Sequence, residues 1–245
     1  MKLVSINIEN NLHNETVLEF LKKEQPDVVC FQEFLEEDLE LFKKELNFDS
    51  VYQTLSYIMD HKNYPHLMER KEGLIIFAKK IVNSGSIFYL GGEEKLLKPF
   101  DLYSPGTDYQ ENRALIWVDV RNKEGEIYRF ITTHFPVTEK GISTPYQLEV
   151  LDLMLEQLDK LGEFVLCGDL NAPRGNETFN RLAKKYKDNI PLEYKTSIDQ
   201  NLHRVRGIQL MVDGLFTTPI YKTSNVRLVD GVSDHMAIVA EVNKN

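Results

Sequence analysis

The stretch FVLCGDLN, residues 164–171, decides the architecture. An apolar run, Phe164 to Cys167, gives way at once to a glycine, a carboxylate and an amide. A short continuous apolar run bounded by a turn signal reads as a strand buried on both faces. The same design recurs along the chain. LVSIN ends at Asn7, DVVCFQE at Glu33 and FITTH at His134, while the present stretch ends at Asp169 and Asn171. In proteins that mix helices and strands, ligands gather where strands end and loops converge.

Working outward, strands are predicted at Leu3 to Ile8, Asp27 to Phe31, Leu74 to Phe77, Leu115 to Val120, Ile127 to Thr133, Phe164 to Cys167, Leu210 to Thr217 and Met236 to Val242. A turn at Lys123-Glu124-Gly125 makes the fourth and fifth a hairpin. Helices are predicted between them. Asn14 caps one that carries Val17, Leu18 and Leu21 on a single face and stops at Pro26. Another turns Leu35, Leu39, Phe42 and Leu46 inward. A third lines up Leu148, Leu151, Leu155 and Leu158 and ends at Gly162, and a fourth, capped by Asn176, buries Phe179, Leu182, Ala183 and Tyr186. Asn47 to Arg70 and Gly91 to Asn112 lack a clear period and read as long loops. No repeat or low-complexity linker divides the sequence, so the expectation is one α/β (α+β) domain over residues 1–245.

Composition narrows the function. The 245 residues carry a formal net charge of -9, which weighs against a sequence-blind nucleic-acid coat. The start, MKLVSINIEN, is not a secretory signal, and the longest apolar run, LIIFA, is too short to span a membrane. Cys30 and Cys167 both lie in apolar runs, as buried free thiols do in a reducing compartment, so a cytoplasmic location is expected.

Taken singly, each polar strand end has an ordinary reading. Asn7 suits a turn, Glu33 the first turn of a helix, and the Asp169 stretch an Asx turn. His134 alone reads as a satisfied polar side chain. Asp213, inside LMVDGLF, suits a bulge or edge beside Gly214, or a carboxylate that fixes the tautomer of a histidine. The set as a whole is more telling. Glu33, Asn7 and Asp234 offer oxygen ligands, His134 and His235 two imidazoles, and Asp169 and Asn171 a further acid–amide pair. Oxygen donors without thiolates suit Mg²⁺ or Mn²⁺, which bind through one or two carboxylates together with substrate phosphate oxygens. Phosphoryl chemistry follows. In SDH, Asp234 and His235 are neighbours on an extended chain and face apart. The histidine's partner is therefore expected at Asp213 and not at Asp234.

The ordered series SIN, FQE, THFP, GDLN, VDGLF and SDH, spread over residues 5 to 240, resembles the endonuclease/exonuclease/phosphatase superfamily. The resemblance implies a four-layer α/β/β/α sandwich with two packed mixed sheets and a site at one edge of them. It also implies roles: Glu33 as principal metal ligand assisted by Asn7, with Asp234 by the metal and nucleophile. Asp169 and Asn171 would hold the attacking water and a phosphate oxygen. His235, oriented by Asp213, would be the general base or transition-state stabiliser, with the choice between His235 and Asp169 as proton acceptor left open. His134 would bond a phosphate oxygen or assist the leaving group. Arg113, in ENRALIW, stands where several members carry a phosphate-contacting arginine, although an ion pair with Glu111 is an equal reading.

Departures from the pattern narrow the branch. The abasic endonucleases usually have a tyrosine where this chain has His134, and inositol-polyphosphate 5-phosphatases carry a longer signature than VDGLFTTP. The branch with histidine includes deoxyribonuclease I-like enzymes and neutral sphingomyelinases. The expectation is a Mg²⁺-dependent phosphoesterase acting by in-line water attack. A nuclease or DNA-end-processing phosphodiesterase stands first, and a small-molecule or lipid-headgroup phosphodiesterase or phosphatase second. A non-catalytic scaffold is remote, because no motif position carries a disabling residue. The expected partner is the phosphoester substrate, nucleic acid included, with no membrane; the sequence leaves the oligomeric state open.

Overall fold

A computed structural model describes residues 1–58, 70–92 and 112–245, together with the backbone of residues 99–100. In chain order the first half contains β1 (Lys2–Asn7), α1 (Asn14–Glu24), β2 (Val28–Leu35), α2 (Leu39–Leu46), β3 (Asp49–Ile58), β4 (Arg70–Ala78), β5 (Ile81–Leu90) and β6 (Pro99–Phe100). The second half contains β7 (Arg113–Arg121), β8 (Ile127–His134), α3 (Pro145–Asp159), β9 (Val165–Asp169), α4 (Glu177–Lys185), β10 (Lys187–Asp188), β11 (Asp213–Thr217), β12 (Tyr221–Val229) and β13 (Ala237–Lys244). The strands form a seven-stranded sheet, ordered β12-β13-β1-β2-β4-β3-β6, and a six-stranded sheet, ordered β10-β11-β9-β8-β7-β5. Both are mixed: β1–β2 and β8–β9 run parallel among antiparallel neighbours.

Strand alternation produces the layers. Leu3 of β1, Cys30 of β2, Ile76 of β4, Phe130 of β8, Cys167 of β9 and Leu215 of β11 meet in one core between the sheets. The opposite faces pack on helices. Val4, Phe31 and Phe77 bury Val17 and Leu21 of α1 and Phe42 of α2, while Ile131, Leu166 and Phe216 bury Leu151 and Met154 of α3 and Phe179 of α4. The order is helix, sheet, sheet, helix. Near one end of the inter-sheet core a polar link joins the sheets, where Gln32 Nε2 donates to Thr132 Oγ1 at 2.8 Å.

Several expectations need correction. Asn47 to Arg70 is not a loop throughout, because Asp49–Ile58 is β3; its paired polar residues, Asp49-Ser50 and Gln53-Thr54, leave neither a continuous apolar run nor a strict alternation to mark the strand. β5 and β12 escaped notice for a related reason, as sheet-edge strands that keep polar residues on the solvent side. Asn14 begins α1 and does not cap it; the cap position is His13, without a side-chain bond. α3 ends before Gly162, at Asp159, and it buries Gln147, Val150 and Met154 beside Leu151 and Leu158, a face rotated from the leucine stripe. Glu111 lies outside the described residues. Among those described, no helix is long and apolar enough to cross a membrane.

Candidate active site

The inter-sheet face explains why the polar residues converge. On β1 the positions facing the other sheet are Leu3, Ser5 and then Asn7; on β8, Phe130, Thr132 and His134; on β9, Val165, Cys167 and Asp169; on β11, Leu215 and Asp213. In each case the face that is apolar in the core turns polar at the same end of the sandwich. Register fixes the lateral spacing: Asp169 is the Cα partner of both His134 on β8 and Asp213 on β11.

Two backbone features aim the remaining groups. Glu33 is not at a strand end and does not open a helix. It lies within β2, where the pairing with β4 shifts between Phe31 and Phe34, and its φ is 55°. Asn171 follows β9 with φ 47°. Left-handed backbone at non-glycine residues is uncommon and clusters at functional sites. Gly168 allows β9 to approach β8, since a Cβ there would stand 2.1 Å from the Thr133 carbonyl oxygen. Asp213 starts β11 without interrupting it, because Leu210 and Val212 spend their backbone groups on Ser197 and Leu170.

The side chains form a continuous network. Nδ1–H of His235 donates to Asp213 Oδ2 at 2.8 Å, and His235 Nε2 lies 3.9 Å from Asp169 Oδ2. Asp234 is turned elsewhere, with Oδ1 accepting from Ser233 Oγ at 3.3 Å. Asp169 makes the Asx turn that its motif suggested, Oδ1 accepting from the Asn171 amide at 2.8 Å, while Oδ2 faces the site and accepts from Asn7 Nδ2 at 3.2 Å. Asn7 Nδ2 also reaches Glu33 Oε1 at 2.9 Å. His134 Nε2 stands 3.5 Å from Asp169 Oδ2 and 3.8 Å from Glu33 Oε1. Asn171 Nδ2 donates to the Phe135 carbonyl, which holds the side chain against the loop after β8. Arg113 opens β7, within electrostatic reach of His134.

Burial and like charge set the protonation states. Burial pushes Asp169 up to about 7, helped by Asp213 and Glu33 and opposed by His235. Burial also raises Glu33, as do Asp234 and Glu9. For His235 burial works against the charged form, but Asp213, Asp169 and Asp234 hold the imidazolium well above the usual histidine range. His134 goes the other way, pushed well below it by burial, Arg113 and His235. Neighbouring groups driven in opposite directions are a hallmark of functional sites.

Sequence reasoning missed two acids. Glu9, just beyond Asn7, donates its amide to Asn7 Oδ1 and is raised by burial and by Asp234. Glu72, on β4, is pushed up to about 8 by burial and by Glu33, against Arg113 and Ser56. The first carries the weak signal of an acid two positions after a site amide; the second precedes its apolar run instead of following it.

A divalent cation fits this donor set. Asp234 raises the proton affinity of both Glu33 and Glu9, and Glu9 raises that of Glu33, a cost that a cation bound among these carboxylates removes. Asp169, Asp213 and His235 also offer ligand atoms within 4.8 Å of one another. In that second group the Asp213–His235 bond already occupies one atom of each residue.

The sequence profile of the Endonuclease/Exonuclease/phosphatase family matches residues 4–235. The chain belongs to that family. The family is one of phosphoesterase hydrolases, and its fold is the four-layer sandwich described above. Solved structures superpose along 99–100% of the chain. A functionally unknown conserved protein from Enterococcus faecalis V583 has a TM-score of 0.71 at 18% identity, covering 100% of both chains. The mannosyl-6-phosphatase Bt3783 of Bacteroides thetaiotaomicron VPI-5482 has a TM-score of 0.68 at 16% identity, covering 99% of both. The catalytic domain of human Nocturnin, with a bound sulfate anion, has a TM-score of 0.71 at 17% identity, covering 100% of this chain and 93% of its own. At such identities the likeness is one of fold. No curated protein matches the sequence closely.

Proposed function

We propose that this family member is a Mg²⁺- or Mn²⁺-dependent phosphoesterase that hydrolyses its substrate by in-line attack of water. The observation that carries the reading is the hydrogen-bonded Asp213–His235 pair facing Asp169, with Glu33 and Asn7 across the same opening. In this reading Glu33, Glu9 and Asp234 hold the cation, assisted by Asn7. The cation, when bound, polarises a phosphoryl oxygen and neutralises its charge. Asp169 and Asn171 position the attacking water, and Asp169, with an affinity for protons near neutrality, takes one from it. Asp213 keeps His235 oriented and charged, so that the imidazolium Nε2–H faces negative charge developing on the phosphoryl group. His134, kept neutral, donates or accepts a hydrogen bond at a phosphate oxygen or the leaving group, and Arg113 binds phosphate. As the water's oxygen bonds to phosphorus, the ester P–O bond breaks; the departing alkoxide takes up a proton from solvent, and Asp169 releases to solvent the one it gained.

For the substrate, a nuclease or DNA-end-processing activity competes with turnover of a small phosphoester. Two observations favour the small phosphoester. The net charge is -9, and Glu9 and Glu72 add acids to an opening that a polynucleotide would need to be basic. Buried free Cys30 and Cys167 fit a reducing, cytoplasmic compartment. The deciding experiment is a metal-dependence panel covering plasmid and single-stranded DNA, RNA, sugar phosphates, inositol phosphates, sphingomyelin and bis-p-nitrophenyl phosphate. His235→Ala and Glu33→Gln serve as controls. EDTA-insensitive activity, or full activity in both variants, overturns the reading. Cleavage of DNA with affinity that falls steeply with salt reinstates the nuclease.

A further inference from the structure

The start of α3, Thr144-Pro145-Tyr146-Gln147, has the residues of a capping box, a threonine at the cap and a glutamine three positions on. Half of the box forms: Thr144 Oγ1 accepts from the Gln147 amide at 3.2 Å. The glutamine side chain does not reach back to complete it. It turns into the protein and is wholly buried, on the helix face that carries Val150, Leu151, Met154 and Leu158. A glutamine on that face is costly in rotamer freedom and hydration, and an apolar side chain would fill the same space.

The buried amide is fully engaged. Its Nε2 donates to the Pro136 carbonyl at 3.0 Å and lies 3.5 Å from the Asn171 carbonyl oxygen, at the outer limit of a hydrogen bond. Its Oε1 accepts from Thr178 Oγ1 of α4 at 2.7 Å. Thr178 has one hydroxyl hydrogen, so in its 2.8 Å contact with Ser143 the serine hydroxyl is the donor. The amide cannot be turned around, because two carbonyl oxygens face its Nε2 and carbonyl oxygens only accept. Both carbonyls belong to loops that carry site residues. Pro136 follows His134 by two positions, and Asn171 ends the Asx turn after β9. Three groups of Asn171 are now held: its backbone amide by Asp169, its Nδ2 by the Phe135 carbonyl, and its own carbonyl by Gln147. Its Oδ1 makes no bond among the described residues. The backbone between these ties is left-handed, with φ 47°, a conformation that persists only where the surroundings enforce it.

We propose that Gln147 is a positioning residue. From the outer helix layer, without touching the substrate, it clamps the loops after β8 and β9 together and so holds Asn171 with Oδ1 presented to the attacking water. Its effect is on the rate of the chemical step and not on substrate binding. The inference rests on the phosphoesterase reading.

The test uses Gln147→Met, which keeps the length of the side chain and removes the amide. It also uses Gln147→Met with Thr178→Val, which removes the hydroxyl that the first change leaves unpaired. Asn171→Ala and Leu158→Ala, a cavity at the far end of α3, are the references. On a phosphoester that the wild type turns over, Gln147→Met is expected to lower kcat per folded molecule by about tenfold to a hundredfold, as a slightly misplaced catalytic group does. KM should stay within about twofold, as expected when an interaction of the chemical step alone is lost. In the Asn171→Ala background the same change adds no further loss, because it acts through Asn171. The paired variant recovers Tm but not kcat, and it carries the same comparisons should Gln147→Met fail to fold. Leu158→Ala loses Tm and keeps kcat. NMR of side-chain amides gives a readout without turnover. The Asn171 Nδ2 signal, assigned by its loss in Asn171→Ala, should shift and exchange faster with solvent in Gln147→Met and stay in place in Leu158→Ala. Unchanged kcat in Gln147→Met, a full further loss on top of Asn171→Ala, kcat that recovers together with Tm, or an Asn171 signal that does not move each overturn the proposal. Absent turnover by the wild type on every ester sinks the hydrolase reading instead, and the Asn171 signal then decides the clamp by itself.

Discussion

His235 Nδ1 lies 2.8 Å from Asp213 Oδ2, whereas Asp234, its neighbour in the chain, directs its carboxylate to Ser233. Asp213→Asn keeps the shape but turns an acceptor into an amide and removes the charge that sustains the imidazolium. The expected result is a fall in kcat of about three to four powers of ten with little change in KM, by analogy with triads in which the same change spoils the tautomer. Steady-state kinetics on any turned-over phosphoester checks this. Asp234→Asn should instead weaken the response to Mg²⁺ concentration.

The two histidines should titrate on opposite sides of the usual histidine range in the metal-free protein. At the usual histidine pKa of about 6.5, NMR of ring nitrogens should find His134 mostly neutral and His235 mostly doubly protonated. The sign for stability follows. Folding raises the proton affinity of His235, so its contribution is complete below about pH 6.5 and disappears as pH climbs through the elevated folded value. Wild type should therefore lose its stability advantage over Asp213→Asn on alkalinisation. A His235 signal that titrates near 6.5 would contradict this.

Asp199 should govern acid stability. Its Oδ1 accepts from the amides of Asn201 and Leu202 at 2.7 and 2.9 Å, and its Oδ2 accepts from Gly231 at 2.6 Å. Burial opposes the charge, yet these three donors hold the carboxyl below its ordinary range. The stabilisation is present above the unfolded pKa of about 3.9 and is lost as pH falls through the lower folded value. Asp199→Asn should unfold more readily at neutral pH and approach wild type in acid, as urea titrations at several pH values would reveal.

Gly168→Ala should be among the most damaging single-methyl changes in the chain. The added carbon meets the Thr133 carbonyl at 2.1 Å, on a backbone with φ 142°. A destabilisation of about 2–4 kcal/mol is expected, in the range for strain at a special backbone position combined with overpacking. Activity should fall beyond what the loss of folded protein explains, since the displaced strand carries Asp169.

Removing charge from the carboxylate cluster should separate folding from metal binding. Glu33→Gln is expected to melt at a higher temperature than wild type in EDTA, because it relieves repulsion among Glu33, Glu9 and Asp234. Saturating Mg²⁺ should reverse the order, since ligand at a hundred times Kd adds about 2.7 kcal/mol to the wild type. Scanning calorimetry with and without metal decides it.

Much of this was legible in the sequence because parallel and central strands are nearly all apolar, so a terminal Asn7, His134 or Asp169 stands out against its own run. The layer order came from the family likeness, and the helical faces from their periodicity. Glu72 was hidden because its antiparallel strand starts at the site and Gly73 separates the acid from the apolar run. Glu33 was visible as a residue, but its bulge was not, since a register shift depends on β4 and is not written in β2. The edge strands β5 and β12 had no apolar contrast to offer.

The constellation is split between two sheets, with Asn7, Glu33 and Glu72 on one and His134, Asp169 and Asp213 on the other. The bond from Gln32 to Thr132 is a tie between those halves just behind the opening. Chemical precision here is thus a property of how two slabs are aligned. Gln147 apart, the outer helices can change their sequences freely as long as they keep pressing on the slabs. A drift in the shared inner layer, even one that leaves every reactive side chain in place, would detune the enzyme.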